Sequence, residues 1–239
     1  MQQNAAVSAP IEPSPMSRGA AIGWAVGGPL LMGAVMFLPA GSMGWVAGWA
    51  FLLAALAAGM VSVVVLRRVN PVIFRARSRI QPGTKLWDKA LLALLMPAVL
   101  AILVVAALDA GRFHWRPLPG WAILAGYLVF LAGFALVAWA QAVNRFFEPG
   151  VRIQSERHHH VVDGGPYAVV RHPGYAGAIL LFAGAALALG SLWALVPAAA
   201  ATGVLVLRTV WEDRLLRAEL AGYQDFARRT RWRLVPGLW

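Results

Sequence analysis

Three groups of polar residues stand out in a chain that is otherwise apolar. The first is Arg208, Glu212 and Asp213. Arg208 and Glu212 are one helical turn apart and share a face. Acidic residues are scarce, ten in 239, so two side by side where an apolar run stops are weighty. Such a carboxylate pair, partnered by Arg208, suits ribose hydroxyls or a cationic group. The plain alternative is an ion pair on a solvated helix face. The second group runs from Gly164-Gly165-Pro166-Tyr167 to Arg171-His172-Pro173-Gly174-Tyr175. Two glycines and a proline make a tight turn. Pro173 suits the first position of a following helix, where its missing N–H costs little. Arg171 and His172 then stand beside a helix N-terminus, a setting that favours a carboxylate or phosphate. Capping and snorkelling would use the same residues. The third group is His158-His159-His160. Consecutive side chains alternate in an extended segment, so at most two converge. Cysteine is absent, and the nearest acids are Glu156 and Asp163. A three- or four-ligand zinc set is therefore missing, and a basic, partly charged surface is the better reading. No dinucleotide fingerprint, P-loop or Ser–His–Asp set accompanies these groups.

The elements that must position these residues are membrane helices. The chain is 60% hydrophobic and 13% charged, with a mean hydropathy of +0.66. That balance argues against a soluble domain, a disordered tail or a coiled coil. Four apolar runs, Gly19–Ala40, Gly44–Leu66, Leu86–Leu108 and Trp121–Ala142, each have about the 20 residues a helix needs to cross a bilayer. Asp88 and Lys89, at one end, are expected to reach the interface by snorkelling. A fifth stretch, Tyr175–Leu207, is too long for one ordinary span. Gly190-Ser191 reads as its turn, which makes it a helical hairpin. Charge supports that choice. With a cytoplasmic N-terminus, only Arg112 and Arg116 of the 21 Lys and Arg fall outside, as the positive-inside rule requires. The net charge of +11 is thereby explained without a nucleic-acid partner, and the basic face can meet anionic lipid.

The expected architecture is all-α: a polytopic bundle of four spans plus a C-terminal hairpin. Residues 1–18 form a mobile tail, 19–142 the four-helix region, and 143–239 a cofactor-binding region that includes the hairpin 175–207. The hairpin returns the chain to the side it left. Arg171-His172 at its start therefore lie near Arg208, Glu212 and Asp213 at its end, around one inner-face pocket. Leu216, Leu220, Tyr223 and Ala227, at helical spacing, read as an amphipathic helix that closes the pocket from below. Pro29 and Pro97 fall inside spans, where membrane helices tolerate them. The localisation expected is an integral membrane one, in a bacterial inner membrane with both termini cytoplasmic.

These motifs resemble a known pattern. Gly165-Pro166-Tyr167, Val170-Arg171-His172-Pro173, Tyr175 and Gly177 are similar to the isoprenylcysteine carboxyl methyltransferase and phospholipid methyltransferase superfamily. So are Arg208 with Glu212-Asp213, and Leu220, Gly222-Tyr223, Phe226 and Arg233-Leu234-Val235-Pro236. Asn144 and Phe146, and Asn70-Pro71 with Gly83-Thr84-Lys85 and Trp87-Asp88, resemble upstream elements of some members. The resemblance covers about the last hundred residues well and the first 140 loosely. It implies an S-adenosyl-L-methionine-dependent methyltransferase in the membrane, with a lipophilic or lipidated acceptor arriving from the bilayer. Cofactor binding would then fall to Gly165, Pro166, Tyr167, Arg171, His172, Pro173, Tyr175 and Glu212. Arg208, Glu212 and Asp213 would be the catalytic group, with no metal. Asp213 departs from the family pattern, which usually has Glu there.

Methyl transfer from a sulfonium is an in-line displacement that needs alignment above all. Carboxylates and the faces of Tyr167 and Tyr175 suit the positive sulfur and ammonium. Arg171 or His172 suits the cofactor's carboxylate. A carboxylate acceptor needs no base, and Arg208 would orient it. For an amine or thiol acceptor, Glu212, Asp213 or His172 could take the proton. Two other readings remain: an NADPH-dependent reductase of the sterol reductase type, against which the paired acids speak, and a non-catalytic lipid-binding membrane protein.

Overall fold

The computed structural model describes residues 17–239, and the tail expected at 1–18 lies, up to residue 16, outside the described residues. Those residues are helical, with no strand among them. The helices are α1 (Arg18–Ala40), α2 (Val46–Val69), α3 (Val72–Ala76), α4 (Leu86–Ala106), α5 (Gly120–Val143), α6 (Pro173–Ala188), α7 (Leu195–Glu219) and α8 (Tyr223–Arg229). Four are long and apolar enough to cross a membrane: α2, α4 with its π-helical continuation to Phe113, α5 and α7. The apolar stretches Ala25–Ala40 of α1 and Pro173–Ala188 of α6 are shorter. The bundle's outside is correspondingly rich in exposed Leu, Val, Ile and Trp, the surface a bilayer would cover.

The hairpin forms where the sequence places it, but its arms are unequal. The first arm, α6, has 16 residues and spans about 24 Å; the second, α7, has 25 and spans about 38 Å. The expected end at Leu207 is corrected to Glu219, because the end of an apolar run is not the end of a helix. The extra turns carry Arg208, Glu212 and Asp213 on a rigid rod. α6 lies tightly on α5 along a seam of glycines. A Cβ on Gly126 or Gly133 of α5, or on Gly177 or Gly184 of α6, would fall within 3.0 Å of facing backbone or side-chain atoms. Small residues let membrane helices approach this closely where no hydrophobic gain drives association.

The expected amphipathic helix is also corrected. α7 ends at Glu219, and Gly222 turns the chain with φ of +79° before the seven-residue α8. Leu220, Tyr223 and Ala227 do not rest on a membrane surface. They are buried with Phe226 against Tyr167 and Ala140, and Leu216 packs alongside. Residues 230–233 then run back beneath the start of α6. The backbone N–H groups of Arg171 and His172 donate to the carbonyls of Trp232 and Arg233, at 2.9 and 3.0 Å.

Candidate active site

The hairpin, the α5–α6 connection and the α4 N-terminus enclose a cavity of about 390 Å³. Of the residues singled out from sequence, Tyr167, Arg171, His172, Tyr175, Arg208 and Glu212 line it; Gly165, Pro166, Pro173 and Asp213 do not. Gly165 and Pro166 form the turn that delivers Tyr167, and Pro173 opens α6. Gly165 has φ of +58°, a left-handed conformation that favours glycine. The Tyr167 hydroxyl accepts from Asn144 Nδ2 at 2.9 Å, and burial pushes its pKa up.

Glu212 and Asp213 are neighbours with different fates, because successive helical residues diverge by about 100°. Glu212 faces the cavity and accepts a hydrogen bond from the Tyr175 hydroxyl. Asp213 turns away into a buried knot. Its carboxylate takes Arg171 Nε at 2.7 Å and Nη2 at 3.2 Å, the Tyr223 hydroxyl at 2.9 Å, Arg217 Nε at 3.0 Å and Arg233 Nε at 3.2 Å. Burial and the Asp213 charge hold the Tyr223 pKa above the usual tyrosine range. Arg171 also donates through Nη1 to the carbonyls of Thr230 and Arg231, both at 2.7 Å. Nearly all its donors are thus taken by the protein. The shorter side chain of Asp213 sits where it ties α7, α6 and residues 230–233 together.

Arg208 is likewise committed, and to a partner other than Glu212. Its Nε donates to Asp88 Oδ1 at 2.6 Å, and its Nη2 to Asp88 Oδ2 at 3.0 Å and to the Pro149 carbonyl at 2.5 Å. Asp88 also accepts from the Val151 N–H at 2.7 Å and is fully buried, which corrects the expectation that it snorkels. Arg208 lies 5.2 Å over the Tyr175 ring, and so fixes the tyrosine whose hydroxyl holds Glu212. His172 stacks parallel to that ring with centroids 5.7 Å apart. Its Nε2 is buried without a hydrogen-bond partner, 3.5 Å from Asp213 Oδ1.

The remaining lining divides by polarity. Leu92, Leu95 and Met96 of α4, Val137 of α5, and Leu181 and Phe182 of α6 make an apolar end. The other end holds the Glu148–Arg152 pair, bonded at 2.8 and 2.9 Å, which holds the Arg152 charge firmly. His159 and His160 pack on Phe146, with centroids 4.6 and 4.9 Å away. The His159 pKa is lowered to about 4, first by burial and then by His160 and Arg157. It is therefore neutral, which corrects the basic-surface expectation for that residue. Among the described residues no three His, Asp or Glu converge as a metal set.

Sequence reasoning missed Asp88, Asn144 as the support of Tyr167, and the Glu148–Arg152 pair. An aspartate one turn into an apolar span was a usable signal for the first, since intramembrane acids need partners.

Residues 121–221 match the family model of phospholipid methyltransferases. The matched region is similar to that family's domain and covers less than half of the chain. It holds α5, the Gly165–Tyr175 segment, the hairpin and the Arg208–Asp213 rod. Four helices are long and apolar enough to span a bilayer, as in an integral membrane protein. No curated protein matches the chain.

Proposed function

We propose that the methyl donor is S-adenosyl-L-methionine and that the acceptor is lipophilic. One observation carries this reading: a single cavity joins an apolar end between α4, α5 and α6 to a polar end around Glu212, Tyr175 and His172. The residues fit the donor. Glu212 offers a carboxylate at the wall for its ammonium or ribose hydroxyls. Tyr175 and Tyr167 offer aromatic faces to a positive sulfur. When bound, the donor supplies an electrophilic methyl group. Everything else is alignment and exclusion of water. Arg208, held by Asp88, fixes the Tyr175 ring; Tyr175 holds Glu212; the Asp213 knot fixes His172 at the α6 start. For an amine or thiol acceptor, Glu212, whose carboxylate faces the cavity, is the group placed to take the proton. A carboxylate acceptor needs none. The charge bias of the loops supports a cytoplasmic polar end in a bacterial inner membrane.

Calorimetry on the detergent-solubilised protein tests the reading. S-adenosylhomocysteine should bind and NADPH should not. Glu212→Ala should weaken S-adenosylhomocysteine by roughly tenfold or more, the weight of a charge-assisted bond, without altering the melting temperature. Binding of NADPH alone sinks the methyl-transfer reading. Unchanged affinity in the variant removes Glu212 from the site.

A further inference from the structure

Four arginines line the cavity: Arg77, Arg152, Arg171 and Arg208. Three are neutralised inside the protein, by Glu148 and Glu156, by Asp213, and by Asp88. Arg77 is different. It follows α3 in the connection between α2 and α4, where its N–H donates to Ile73 at 2.9 Å. Among the described residues no carboxylate pairs with it. Its guanidinium lies 5.2 Å over the Phe147 ring, and that ring is set against the α6 start, where a Cβ on Gly174 would come within 2.5 Å of it. A planar cation thus lies over an aromatic face, with its hydrogen-bonding edge uncommitted. Arg208 and Tyr175 are close enough to act on it electrostatically, and burial with the Arg208 charge lowers its pKa. Arg77 is nonetheless exposed, so water solvates its guanidinium until an anion displaces that water.

We propose that Arg77 is the anion-recognising residue of the cavity, and that it takes an oxyanion, carboxylate or phosphate, of a bound ligand. The proposal rests on the methyltransferase reading for its two sources of that oxyanion: the amino-acid carboxylate of the donor, or the head group of the acceptor. Arg171 and Arg208 have their guanidinium edges engaged by the protein, so neither competes for the role. A bidentate contact from Arg77 would select ligands by charge, which the apolar end of the cavity cannot do.

The test compares wild type with R77Q and R77K by calorimetry in detergent, using two probe pairs. S-adenosylhomocysteine and 5′-methylthioadenosine differ by the amino-acid carboxylate and ammonium; palmitate and hexadecanol differ by a carboxylate on one chain. R77Q should lose roughly tenfold in affinity for the carboxylate-bearing member of one pair and keep its affinity for the member that lacks the carboxylate. R77K should fall between, with melting temperatures unchanged. Loss on the first pair assigns the donor as the source of the anion; loss on the second assigns the acceptor. A wild type that ignores S-adenosylhomocysteine but prefers palmitate, with that preference lost in R77Q, sinks the methyltransferase reading and keeps Arg77. If R77Q matches wild type on all four probes, or wild type prefers neither anion, the proposal is wrong.

Discussion

The bundle buries an aspartate near each end of α4, and the two are treated differently. At the N-terminal end, Asp88 faces Arg208 through two bonds and accepts a third from Val151 N–H. Past the C-terminal end, Asp109 lies in the π-helical segment Ala107–Phe113. One of its oxygens accepts from the Ser191 hydroxyl at 2.6 Å, and the other has no partner among the described residues. Ser191 in turn accepts from the Ala194 N–H at 3.1 Å, at the hairpin turn. The Asp88 contact is an ion pair that fixes a site. The Asp109 contact is a neutral donor on an acid, and it fixes only a loop. The same residue type thus supports the cavity at one end and marks a corner at the other, according to what the facing helix supplies.

One chemical change applied at both ends sharpens the contrast. Asp88→Asn removes the charge opposite a buried guanidinium and should destabilise by about 3–5 kcal/mol, as broken buried pairs do. Asp109→Asn keeps an acceptor for Ser191 and should cost under about 1 kcal/mol. Denaturant unfolding in detergent measures both, and equal losses would break the distinction. A further effect expected is a pH slope at the loop that carries His159. His159 has its folded pKa near 4, against 6.5 for a free histidine. The unfolded chain therefore binds more protons between those values, and stability falls as pH drops from 6.5 toward 4. Subtracting the His159→Phe profile from wild type should isolate a slope of at most one proton. Parallel profiles would remove His159 as its source.

Much of this was legible in the residues. Apolar run lengths matched α2, α4 and α5, though the expected span Gly19–Ala40 shows only the shorter apolar stretch Ala25–Ala40; Gly190-Ser191 gave the hairpin turn, and the charge bias supported the hairpin before any contact was known. The return of Arg171 to the neighbourhood of Asp213 followed from that hairpin. The particular pairings did not. Arg208 meets Asp88 across 120 residues, a contact set by how α4 and α7 pack rather than by spacing on either. The opposite bearings of Glu212 and Asp213 were available from helix geometry alone. The α8 break was signalled by Gly222, yet helical spacing of Leu216, Leu220, Tyr223 and Ala227 argued for continuity. Arg77 is one of seven basic residues between Arg67 and Lys89, and nothing in its sequence neighbourhood separates it from the others. Only its position over Phe147 does.

The strap of residues 230–233 has a temporal consequence. Its carbonyls are the ones that hold Arg171 and the His172 backbone, so the floor beneath α6 is finished by residues 59 positions or more further along the chain than Arg171. Until they emerge, the Arg171 guanidinium and the start of the hairpin lack four of their acceptors. The floor of the cavity therefore waits for chain synthesised after both arms of the hairpin.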